Sequence, residues 1–153
     1  KGVMMMPVVV AGHNGGQTFF VRYTNQDGVS DRQTPQHKMG TQIVNGTILS
    51  SGGPVANSRA PFMALQEGDT GVRSVDSIVF EGGGDVGLVA IAMVKVLAET
   101  YIRETTAPHE RDFSTDQGAL PIIIDDAYLN MVCLPAGSLA GAPIMGYIKT
   151  LNA

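Results

Sequence analysis

Short runs of alternating apolar and polar residues, each closed by glycine, proline or an Asx residue, restrict this chain mainly to strands. In "QTFFVRYT" (17–24), Phe19, Val21 and Tyr23 share one face, and Phe20 and Arg22 the other. Aromatic and β-branched side chains fit the pleated surface of a strand. "NQDG" (25–28) then has turn chemistry. Asn45-Gly46, between two short β-forming runs, predicts a hairpin because both residues tolerate positive φ. That tip also explains the glycosylation-type triplet Asn45-Gly46-Thr47 without a glycan. "APFMAL" (60–65), "VRSVDSIVF" (72–80), "AYLNMVCL" (127–134) and "PIMGYIKTL" (143–151) are further strand candidates. In 72–80, Val75, Ser77 and Val79 alternate with Asp76, Ile78 and Phe80. The expectation is a single all-β domain over 1–153: an antiparallel β-sandwich or jelly-roll-like fold of about eight strands, with short helices at most.

The one competing pattern is Gly82-Gly83-Gly84-Asp85-Val86-Gly87, which matches G-x-G-x-x-G. In a dinucleotide site, such glycines permit a tight turn and lead into a helix whose N-terminus faces the pyrophosphate. That chemistry needs an acid at the end of the next strand, roughly 20 residues on. The next strand-like acids, Asp125 and Asp126, lie 38 and 39 positions beyond Gly87, and hairpins rather than a βαβ unit precede the motif. With 19 glycines in the chain, a chance match is the simpler reading. The segment 88–97 is apolar on both alternating faces until Lys95. It is therefore expected to be an extended strand buried on both sides, with the glycines forming a strand-to-strand connection.

Composition bounds what the chain can recognise. Of 153 residues, 44% are hydrophobic and 16% charged, against a usual charged share of ~25%. So little charge is expected where part of the surface is covered by other copies of the chain. A net charge of -4 gives no electrostatic footprint for nucleic acid. No apolar run reaches the ~18 residues of a membrane-spanning helix, so no membrane partner is expected. Lys1 stands where an initiator Met would, which is expected of an N-terminus that is cut, processed or preceded by an arm. Met4, Met5 and Met6 fit either a buried strand or an adaptable contact surface.

Candidate chemical groups are sparse. Cys133 is the sole cysteine, which excludes an intrachain disulfide, and is read as a small buried hydrophobe. His13, His37 and His109 occur without metal-ligand spacing and are expected in exposed loops. Ser50, Ser51, Ser58 and Ser138 lack a context that would activate a nucleophile. Asp125-Asp126 could bind a cation or act as acid and base, but reads best as a polar turn closing a buried Ile122-Ile123-Ile124 run. Asp27, Asp31, Glu67 and Asp69 fall in turn-like segments. No catalytic, cofactor-binding or metal site is expected, and no cofactor.

Three stretches, 21–35 ("VRYTNQDGVSDRQTP"), 60–80 ("APFMALQEGDTGVRSVDSIVF") and 124–151 ("IDDAYLNMVCLPAGSLAGAPIMGYIKTL"), together resemble virion structural proteins of tailed bacteriophages. The resemblance implies a non-enzymatic, β-rich subunit located in the virion, with no catalytic residue to carry over. Its expected partners are further copies of itself and other virion proteins, major capsid or tail subunits. A capsid decoration or accessory role is the leading expectation, with a tail or head–tail component next. From the residues alone, a carbohydrate-binding β-sandwich is a further alternative. Aromatic stacking platforms are its discriminating feature: Trp is absent, aromatics make up 6% of residues, and of the only tyrosines, Tyr23, Tyr101, Tyr128 and Tyr147, two fall in strands expected to be buried.

Overall fold

A computed structural model describes residues 2–12, 18–38, 61–82, 87–104, 107–116, 121–133 and 145–150. Strands dominate them: β1 (Val3–Ala11), β2 (Thr18–Asn25), β3 (Arg32–Gln33), β4 (His37–Lys38), β5 (Val72–Glu81) and β6 (Leu88–Lys95). One helical turn, α1 (Phe113–Asp116), accounts for the helix. The fold is all-β with two antiparallel sheets, as the alternation predicts. Six strand segments are seen among the described residues, two of them only two residues long.

β1 pairs with β6 in the first sheet. In the second, β2 pairs along its length with β5, while β3 and β4 bond to opposite ends of β2. The two sheets share one apolar cluster. Met5 and Val9 come from β1, Phe19, Val21 and Tyr23 from β2, and Met63 and Val72 complete the buried set. Val75 and Ile78 of β5 and Val89 and Ile91 of β6 pack against it. The three methionines therefore form a strand, with Met5 and Met6 buried. Met63 is fixed by donating its N–H to the Met5 carbonyl at 2.8 Å, which ties the irregular segment around it to β1.

The β2–β5 ladder explains why the alternation read for β5 is only partly right. Arg22 faces Ser77 but Tyr23 faces Val75, so Asp76 is an extra residue. A second shift between Thr24 and Asn25 makes Arg73 extra as well. Each bulge resets the two-residue period. As a result, Val72, Val75 and Ile78 oppose the inward-facing Asn25, Tyr23 and Val21 at a spacing of three.

β6 is extended, as expected, and its predicted burial on both faces is corrected. Val89 and Ile91 turn to the core, but Leu88 and Met93 are exposed. Among the described residues β6 pairs with β1 alone, over one side of the cluster, so one of its faces lies toward the core. Gly82 at φ 101° and Gly87 at φ 148° flank the connection from β5 to β6. Both values are in the region that favours glycine, which has no Cβ to clash. The connection joins strands of different sheets rather than a paired hairpin.

The predicted strands at 60–65, 127–134 and 143–151 are not strands where they are described: 61–66, 127–133 and 145–150 are irregular. The first bonds to β1 at one point only, and the other two find no ladder partner among the described residues. Strand propensity without a partner leaves the backbone bonds unmade. The Asn45-Gly46 hairpin lies outside the described residues.

Candidate functional site

Two features stand out: a closed polar cluster at one end of β2, and a set of exposed apolar side chains concentrated in the C-terminal half.

The cluster centres on Asp69, whose side chain is 3% exposed. The turn 66–69, closed by Asp69 N–H donating to the Gln66 carbonyl at 3.0 Å, brings this carboxylate over the end of β2. Tyr23 donates its hydroxyl to Asp69 Oδ2 at 2.6 Å, and Asn25 donates Nδ2 to Oδ1 at 2.8 Å. Arg32 donates Nε to Oδ2 at 2.9 Å and Nη2 to the Glu67 carbonyl at 3.1 Å. The Tyr23 oxygen accepts from Gln66 N–H at 2.9 Å. Asn25 Oδ1 accepts from Asp27 N–H and Val29 N–H, which shapes the "NQDG" turn. Gln26 Oε1 accepts from Thr70 and Gly71 N–H, closing the loop on the other side.

Arg32 beside Asp69 holds the carboxyl down to about 2, with the Tyr23 and Asn25 bonds assisting. Burial, reinforced by the bond to Asp69, pushes the Tyr23 hydroxyl up to about 12. The same carboxylate raises Arg32 above its ordinary value. All three groups keep one protonation state across neutral pH, so none of them can exchange a proton there as an acid or base. The arrangement is a clamp: it fixes the loops 25–33 and 66–71 to β2.

The predicted chemical residues are scattered. Asp125 and Asp126 occupy a turn closed by Ala127 N–H donating to the Ile124 carbonyl at 3.0 Å, as expected. The Ile122-Ile123-Ile124 run is exposed, not buried, because no sheet lies against it among the described residues. Cys133 is likewise exposed rather than a core residue. His37 is buried on β4 with its ring 5.8 Å from that of Phe19, contrary to the loop reading; the short β4 pairing carries it inward. His109 is exposed and bonds locally to the Glu104 backbone. His13, Ser50, Ser51, Ser58 and Ser138 lie outside the described residues. Asp27 and Asp31 sit in or beside the turn after β2; Asp31 pairs with Arg22 at 3.5 Å. Among the described residues, no three His, Cys, Asp or Glu side chains gather to hold a metal ion. No helix among them is long and apolar enough to cross a membrane. Gly87 leads into a strand, so the helix N-terminus that a dinucleotide pyrophosphate would need does not follow the glycines.

Near the first sheet, Val10, Leu88, Met93 and Val96 are exposed. Large apolar side chains are also exposed at Tyr101 and Ile102 and within 121–133 and 145–150. Tyr128 is 92% exposed, Tyr147 91% and Met145 90%. Sequence reasoning found these segments by their strand-like composition and missed that their described apolar side chains are exposed.

Fold and surface define a small antiparallel all-β protein whose described C-terminal segments expose large apolar side chains. A scan against family models finds no match, and comparisons with curated proteins and with solved structures find none either.

Proposed function

We propose that the chain is a structural subunit of a tailed-bacteriophage particle, acting as a decoration or accessory protein that stabilises the head shell. The exposure of 121–133 and 145–150 carries this reading. So many exposed large apolar side chains suit a chain held against neighbours, because exposed apolar patches mark interaction sites. Its partners in the particle are further copies of itself and major capsid subunits. A small domain with weak individual contacts gains strength when a lattice engages several faces at once. In this reading the two sheets are the layers of an antiparallel sandwich of about eight strands, and the C-terminal segments become strands on assembly.

The test compares particles with and without the subunit under heating and osmotic dilution. Loss of shell integrity without it supports the role, and identical survival contradicts it. A tail or head–tail position is the alternative within this class, and locating the subunit on the particle by electron microscopy decides between them.

A second reading, a carbohydrate-binding β-sandwich, is favoured by one observation: Tyr101, Tyr128 and Tyr147 are exposed and could serve as stacking platforms. A glycan array distinguishes the two. Binding that is lost in Tyr128→Ala would replace the structural role, and no binding removes the alternative.

A further inference from the structure

We infer that the chain assembles with a second copy of itself by strand addition: the segment 127–133 of one copy pairs antiparallel with the outer edge of β6 in the other. Among the described residues, β1, β5 and β6 are the long strands with an edge that has no ladder partner, and they differ in kind. The free edge of β1 is interrupted by Pro7, which has no N–H, and Met5 there already accepts from Met63 N–H. β5 carries Arg73, Asp76 and Glu81, charges of the sort that discourage edge pairing. β6 reads LVAIAMVK, with no charge before its last residue, Lys95. A long apolar edge without such protection is a template for another strand.

The same chain supplies the matching element. Residues 127–133 (AYLNMVC) have strand composition, find no ladder partner among the described residues and leave Tyr128, Leu129, Met131 and Val132 exposed. Seven residues nearly match the eight of β6. Charge selects the direction. The Asp125-Asp126 turn stands at the head of the segment, and the only charge of β6 stands at its end. Antiparallel pairing brings the two carboxylates to Lys95, whereas parallel pairing would leave them beside Leu88, where β6 has no cation.

This inference deepens the structural-subunit reading, and the two can fail separately. A monomeric chain that still protects particles overturns strand addition alone. An assembled chain whose removal leaves particles unchanged overturns the particle role alone.

The experiment is sedimentation equilibrium of the full-length chain and three variants, with far-UV circular dichroism to confirm the fold of each. The unaltered chain should sediment as a multiple of its monomer mass. Leu129→Pro removes a ladder donor in the middle of the added strand and should weaken assembly about tenfold or more. Lys95→Glu should weaken it about two- to fivefold, the size of an exposed ion pair. Adding Asp125→Lys and Asp126→Lys to Lys95→Glu should restore it, an outcome that general misfolding would not produce. A monomer at every concentration overturns the proposal and leaves the β6 edge to a different protein or to the chain's own segment. Assembly unchanged in both Leu129→Pro and Lys95→Glu overturns it equally.

Discussion

Tyr23 does two tasks with one side chain. Its ring fills the core between the sheets, and its hydroxyl both donates to Asp69 and accepts from the Gln66 N–H. Tyr23→Phe keeps the ring and leaves the Gln66 N–H without its acceptor. It should cost about 1–3 kcal/mol of unfolding free energy in urea titrations. Asp69 makes the clamp sensitive to acid. With its pKa lowered from 3.8 to about 2, the unfolded chain binds more protons in that interval. The contribution is complete above about pH 4 and is lost as pH falls through about 2. Tyr23 has the opposite sign: its pKa is raised from 10.0 to about 12, so its contribution is complete below pH 10 and is lost as pH rises through 12. Denaturation midpoints measured across pH should show this plateau, and Asp69→Asn should flatten its acid limb. None of the clamp was legible in the sequence beyond its turns. Tyr23 and Asp69 are 46 residues apart, and no local pattern links a strand aromatic to a distant turn carboxylate.

Legibility at the scale of elements follows how local the determinants are. β2 could be read because its faces differ: Phe19, Val21 and Tyr23 join the core and Arg22 is exposed, although Phe20 on the Arg22 face is also buried. β5 could be recognised as a strand but not oriented, since bulges at Arg73 and Asp76 move its inward residues to a spacing of three. Bulges are set by the partner strand, which the local sequence does not contain. Deleting Asp76 should therefore be tolerated, because it removes the unpaired residue and leaves Tyr23 opposite Val75. Deleting Arg22, which is also exposed, turns Tyr23 or Val21 out of the core and should cost about 2 kcal/mol or more. Comparing the two deletions by chemical denaturation checks the register. Equal losses would contradict it. Segments 127–133 and 145–150 mark the limit of such reading: their composition favours strands, and strands require a partner.

For the whole molecule, the core and the residues packed against it come from Met5 to Ile91. Every buried hydrophobic residue among those described lies between Met5 and Val72, while the C-terminal segments expose large apolar side chains. A folded part and an uncovered part in one small chain make sense together if neighbours complete the second. The most direct test is amide hydrogen exchange on the full-length protein over a wide concentration range. Amides of 18–25 and 72–81 should be protected at every concentration, as expected of paired strands in the domain itself. Amides of 127–133 should exchange rapidly in dilute protein and become protected, together with those of β6, as concentration rises. Protection of 127–133 that is independent of concentration would contradict the account, because the segment would then be covered by its own chain. Rapid exchange at every concentration would contradict it equally, since no second copy would be covering the segment.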